Sequence, residues 1–186
     1  MTIHALFKFT PNPYGGIEID TTSNSGIYRE LPPFVLVTPP AKRFENLWQF
    51  SKVYKEHLDI NGEPNEEWFE WRDKGWQDIK AHRYPMGKGA IPAYSFWYGR
   101  KLDYIEARKI IYASIYSQYV QKTNGFKRLE ALYNTGKTII LRDYDAYDHI
   151  KLGMTLKDVI NNPNRKCGHA FVLMMILTGT LEECLK

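Results

Sequence analysis

Gly136-Lys137-Thr138-Ile139-Ile140-Leu141-Arg142-Asp143-Tyr144-Asp145-Ala146-Tyr147-Asp148-His149 begins as a strand and ends as a cluster of charge. Thr138 to Leu141 is short, apolar and partly β-branched, with a glycine ahead of it, which predicts a buried strand. Three carboxylates, an arginine and a histidine follow directly. A strand end that delivers charge to one spot is a common way to mount a site on a stiff support. Asp and Tyr after a strand also cap helices and form turns, so both roles are open for this stretch. Asp143 and Asp145 alternate, and in extended backbone they face the same way. Close carboxylates shift one another's pKa and divide acid and base roles. Asp148 and His149 extend the cluster. Carboxylates with one histidine suit magnesium or manganese better than zinc, but no fixed-spacing metal motif is present and no metal is assigned.

Outward from this strand the chain reads as α+β: a single helix-rich domain, residues 1–186, with short strands near the N-terminus and a central buried helix near the C-terminus. His4 to Phe9, Ile17 to Asp20 and Phe34 to Val37 are strand candidates, separated by turn-rich loops. Ala41 to Leu58 is expected to be one helix, with Phe44, Leu47, Ser51, Tyr54 and Leu58 as its inner stripe. Asn65 is a plausible N-cap for a short aromatic helix. His82 to Gly89 is a basic loop bearing glycines. Asp103, with Glu106 three residues on, opens a second long helix through Tyr119. Gly125 to Tyr133 and Thr155 to Ile160 are further helices. Gly168 to Leu177 is apolar nearly all round, as a buried helix is.

The 186 residues are enough for a real core. Hydrophobic residues make up 44% and aromatic residues 15%, a share that suggests ring-lined pockets as well as core. The net charge of +4 permits an anionic partner, a nucleotide or a nucleic acid, without demanding one. Neither cysteine lies in a Cys-x-x-Cys pair, so a reducing compartment, the cytoplasm, is expected. No signal peptide is apparent, and no apolar run is long enough to span a bilayer. The sequence does not set an oligomeric state.

Three further constellations carry chemistry. Glu45, Trp48, Gln49 and Lys52 are spaced to share one helix face. Glu45 and Lys52 are too far apart for a routine helical ion pair, so the group either points at one ligand or forms a solvated face. Asn164-Arg165-Lys166-Cys167-Gly168-His169 precedes the buried helix, and a helix N-terminus with nearby cations is a natural phosphate site. Phe96, Trp97 and Tyr98 beside Arg100 can stack on a base or pack into core. Cys167 with His169 makes a poor nucleophile pair, because residues two apart rarely meet usefully.

The order of these pieces resembles the NADAR (YbiA-like) family over roughly residues 35–177. The family's Glu-x-x-aromatic-Gln-x-x-Lys helix pattern is matched by Glu45-Asn46-Leu47-Trp48-Gln49-Phe50-Ser51-Lys52. Its acidic-aromatic strand end looks like Asp145-Ala146-Tyr147. Its lysine- and glycine-containing turn into an apolar helix is similar to Lys166-Cys167-Gly168-His169. The chain departs from the pattern where Asp148-His149 replaces Trp-Gly and Cys167 replaces an asparagine, and its 61–93 connection is long.

The resemblance implies an N-glycosidase acting on ribosylated compounds, ADP-ribosyl guanine among them. It implies that Glu45 and Lys52 are catalytic or orient the substrate, with Asp145 assisting. The chemistry fits the residues. Cleaving a C1′–N bond builds oxocarbenium character, which a carboxylate stabilises. A second group protonates the departing base. Glu45, Asp143 and Asp145 supply carboxylates. Trp48 and Trp97, with Tyr98, supply rings. Lys52, Arg43 and Lys166 supply cations. Gln49, Asp148, His149 and His169 complete the expected ligand contacts, and no metal or redox cofactor is needed. The expected partner is a small nucleotide or ribosylated base. Two rivals remain: a non-catalytic nucleotide- or nucleic-acid-binding module that keeps the pocket, and a nucleic-acid-modifying enzyme with a flipped base.

Overall fold

A computed structural model describes residues 2–186. The strand Ile139–Asp143 (β6 in chain order) is the middle of a parallel three-stranded sheet. It lies between β1 (Ile3–Phe7) and β2 (Ile17–Asp20). All five of its residues are buried, including Arg142 and Asp143. Arg142 is therefore part of the framework: its guanidinium donates to the carbonyls of Phe7 and Thr10 and pairs with Glu18.

A second sheet is antiparallel. It orders β3 (Lys52–Val53), β4 (Tyr94–Trp97) and β5 (Arg100–Leu102). Tyr98 and Gly99 both have positive φ, +46° and +78°, and form the two-residue turn that joins β4 to β5.

The helices are α1 (Phe44–Gln49), α2 (Glu66–Gln77), α3 (Tyr104–Ala107), α4 (Ser114–Val120), α5 (Asn124–Tyr133), α6 (Leu156–Asn161), α7 (His169–Leu177) and α8 (Leu181–Leu185). A π-helical stretch, Arg108–Ala113, joins α3 to α4. Local chemistry explains four of these eight starts. Asn65 caps α2, Asp103 and Glu106 form a capping box on α3, Thr123 caps α5, and Thr155 with Asp158 boxes α6. In α7 the residues from His169 to Met175 are all buried in the core shared with β1 and β6. Each fully buried Leu, Phe or Met contributes about 1.5–3 kcal/mol.

Two expectations fail. The helix expected over 41–58 stops after Gln49. Ser51 Oγ donates to the Trp48 carbonyl at 2.7 Å, Phe96 N donates to Ser51 O, and Lys52–Val53 pairs with Tyr94 and Ser95. Sheet pairing overrides helical spacing there. Phe34–Val37 forms turns, with Val35 N and Leu36 N both donating to Pro32 O. Prolines on both sides leave it no strand partner.

Candidate active-site cleft

The carboxyl end of the parallel sheet opens into a cleft of about 400 Å³. Ligand crevices of open parallel sheets commonly lie at that end. The helix α1 supplies Glu45, Trp48 and Gln49, β3 supplies Lys52, the turn after β6 supplies Asp145, and the loop before α7 supplies Lys166. The Glu45–Lys52 grouping survives the loss of the long helix because the chain turns at Phe50 and brings Lys52 back. Gln49 stands between the two charges. Its Nε2 donates to Glu45 Oε1 at 3.0 Å, and its Oε1 accepts from Lys52 Nζ at 2.9 Å. Lys52 Nζ also lies 4.8 Å from the Trp48 ring centroid.

Glu45 is only 5% exposed although it lines the cleft. Burial pushes its carboxyl up to about 7, against the pull of the Gln49 hydrogen bond and the charges of Lys52 and Arg83. Burial lowers Lys52 to about 8, opposed by Glu45 and assisted by Lys166. An acid and a base are thus both brought close to neutrality, as acid–base catalysis requires. Asp145 is held differently. Its Oδ1 accepts from Arg83 Nη2 at 2.8 Å and lies 3.4 Å from Lys166 Nζ.

Several expected site residues lie elsewhere. Asp143 is a buried structural group. Its Oδ2 accepts from Ala170 N at 3.2 Å and faces His169 Nδ1 at the same distance, while its Oδ1 accepts from Asp145 N. The N-terminus of α7, expected as a phosphate site, is therefore already occupied by the protein's own carboxylate. His169 is committed to Asp143 and to the Thr21 carbonyl, 2.8 Å from Nε2. His149 is buried edge-on against Phe171, and burial holds its ring below the ordinary histidine range. Asp148 accepts from Tyr14 Oη at 2.7 Å and from Lys151 N. Arg43 donates to the neighbouring Lys42 carbonyl. Trp97 packs against Trp76, and Tyr98 is 83% exposed at the hairpin tip. Burial lifts the Cys167 thiol to about 12, which makes it inert as a nucleophile although it lines the cleft.

The cleft also holds residues that spacing did not single out. Arg83, Tyr84 and Lys88 come from the basic glycine loop, whose Gly-Lys-Gly core was the available signal. Tyr54 comes from a stripe expected only as core, and Tyr104, Arg108 and Tyr112 come from the helix that Asp103 opens, where no site residue was expected. Among the described residues no group of three or more His, Cys, Asp and Glu side chains is placed to hold a metal, and no helix is long and apolar enough to cross a membrane. No family model matches the chain, and no curated protein or solved structure matches it significantly.

Proposed function

We propose that the cleft is the active site of an N-glycosidase, NADAR-like in kind, that hydrolyses the bond between a ribose and a nitrogenous base in a nucleotide or ribosylated nucleobase. The observation that carries this reading is the Glu45–Gln49–Lys52 relay: a buried carboxyl and an amine, joined through one amide, both tuned near neutrality. In the reaction water adds to C1′ as the C1′–N bond breaks. Ionised Glu45 stabilises the oxocarbenium charge and takes a proton from the water. The Lys52 ammonium gives a proton to the departing nitrogen. One proton enters at Glu45 and one leaves Lys52, so the relay returns to its starting state by proton exchange with solvent.

The remaining lining suits such a substrate. Trp48, Tyr84 and Tyr112 offer faces and edges to a base, and Arg83, Lys88 and Lys166 offer cations to phosphate. The match of Glu45-x-x-Trp48-Gln49-x-x-Lys52 to the family pattern supports the same reading. Two free cysteines fit a cytoplasmic setting, where thiols stay reduced.

The test is release of free base from a panel of ribosylated nucleobases, ADP-ribosyl guanine included, followed by chromatography. Wild-type protein should turn over at least one of them, and Glu45→Gln should lose about a thousandfold or more in kcat while keeping its fold. Full activity in Glu45→Gln overturns the assignment. Tight binding with no product from any substrate would instead establish the non-catalytic module.

A further inference from the structure

Arg108 has a place in the cleft that the proposed hydrolysis does not use. It opens the π-helical stretch between α3 and α4, a distortion found often at functional sites. The residue is 2% exposed. Its Nη1 donates to the carbonyls of Val159, Ile160 and Asn162 at 3.3, 3.1 and 2.8 Å, and its Nη2 donates to that of Arg165 at 2.8 Å. The Tyr104 ring lies against the guanidinium, 4.4 Å from its centroid. Among the described residues no carboxylate pairs with it. Four carbonyl dipoles hold the cation in place, but none supplies a full counter-charge.

A guanidinium carries five N–H groups. The carbonyls engage both protons of Nη1 and one of Nη2. The Nε proton and the second Nη2 proton have no acceptor among the described residues, and Arg108 lines the cleft beside Glu45, Lys52 and Lys166. Adjacent donors of this kind match two oxygens of one phosphate. The other cations nearby differ. Arg83 and Lys166 already share Asp145.

We propose that Arg108 is the anion anchor of the cleft, taking a phosphate group of the ligand on the guanidinium edge that the carbonyls leave open. The clamp has a second effect: by holding the 162–165 backbone, Arg108 fixes the loop that presents Lys166 to the same anion. The proposal rests on the ligand-binding half of the nucleotide reading and not on its hydrolytic step.

The experiment is NMR titration of the full chain, labelled with ¹⁵N, following the Arg108 Nε–H signal assigned through bonds to its backbone. Inorganic phosphate is the probe and acetate the comparison. Phosphate should move the Arg108 signal saturably, in wild type and in Glu45→Gln alike, and acetate should not at equal concentration. Phosphate should bind Arg108→Lys about tenfold more weakly, with thermal melting run alongside. A stationary Arg108 signal while other residues respond overturns the proposal, as does an equal response to acetate. The wild-type titration decides even if Arg108→Lys does not fold. Loss of turnover in Glu45→Gln with no phosphate response at Arg108 would leave the hydrolase reading standing and this one refuted.

Discussion

Asp143 Oδ2 occupies the space that a Cβ on Gly168 would need, 2.2 Å from where that atom would sit. Gly168 has an ordinary φ of −77°, so it is glycine for room and not for backbone freedom. The Cβ of Asp145 crowds the same point at 3.0 Å. Gly168→Ala is therefore expected to push β6 and α7 apart, costing about 1–3 kcal/mol. Thermal denaturation would register about 2–4 °C of lowered Tm per kcal/mol. An unchanged Tm would mean that the two elements do not meet as described.

Removing the carboxylate should be worse than crowding it. Asp143→Ala leaves Ala170 N and Asp145 N without their acceptor in a buried place and removes the group that faces His169 Nδ1. Leaving a buried donor unsatisfied costs about 1–3 kcal/mol, and here at least two lose their acceptor together. Urea unfolding of the variant should expose that loss, and Asp143→Asn, which keeps the shape, should recover part of it.

The strand that opens this molecule to interpretation was readable because its signal is local: a glycine, then β-branched and apolar residues. The capped starts of α2, α3 and α6 were readable for the same reason. What spacing could not supply was long-range pairing. Lys52 and Val53 belong to a sheet because Tyr94 and Ser95 lie beside them, 41 or more residues away. The three aspartates looked alike in sequence and separated in space. Asp145 turned into the cleft, Asp143 turned back to α7, and Asp148 went to Tyr14. Arg108 was hidden because a helical arginine in an apolar stripe reads as an exposed interruption, and its carbonyl partners lie 51 to 57 residues on.

Gln49 sets the proton affinity of Glu45. Its hydrogen bond favours the ionised carboxylate, so its loss should raise the Glu45 pKa above the present value of about 7. Gln49→Leu is expected to shift the acidic limb of the kcat/KM profile to higher pH and to lower activity at pH 7 by about tenfold. A limb that stays in place would detach Gln49 from the chemistry.

Asp145 acts on both partners at a distance. Its negative charge raises Glu45 and raises Lys52. Asp145→Asn should therefore move both limbs of the pH profile towards acid. It also releases Arg83 and Lys166 from their shared carboxylate, so an anionic ligand should bind more tightly. Parallel kcat/KM profiles and Kd measurements would check the pair of effects, and opposite movement of the two limbs would contradict it.

Glu45 and Lys52 together make activity and stability oppose each other in pH. Catalysis as proposed needs Glu45 ionised and Lys52 charged, so kcat/KM should peak between about 7 and about 8 and fall on both sides. Stability follows the proton balance of folded and unfolded states. Between pH 4.5, the ordinary value for the unfolded carboxyl, and about 7, the folded state keeps the Glu45 proton that the unfolded chain has lost. Its contribution is fully present below pH 4.5 and lost as pH rises through about 7. Lys52 has the reverse sign: its contribution is present above the unfolded value of 10.5 and lost as pH falls through about 8. Between the two folded values the protein therefore carries both buried charges, which is where it works and where they cost most. Each pKa unit corresponds to about 1.4 kcal/mol, so Glu45→Gln should gain roughly 1–3 kcal/mol at pH 8 and little at pH 4.5. Urea unfolding of wild type and Glu45→Gln across that range would reveal the crossover. A variant no more stable than wild type at pH 8 would show that the buried carboxyl is not held at a cost, and the acid–base role assigned to it would lose its physical basis.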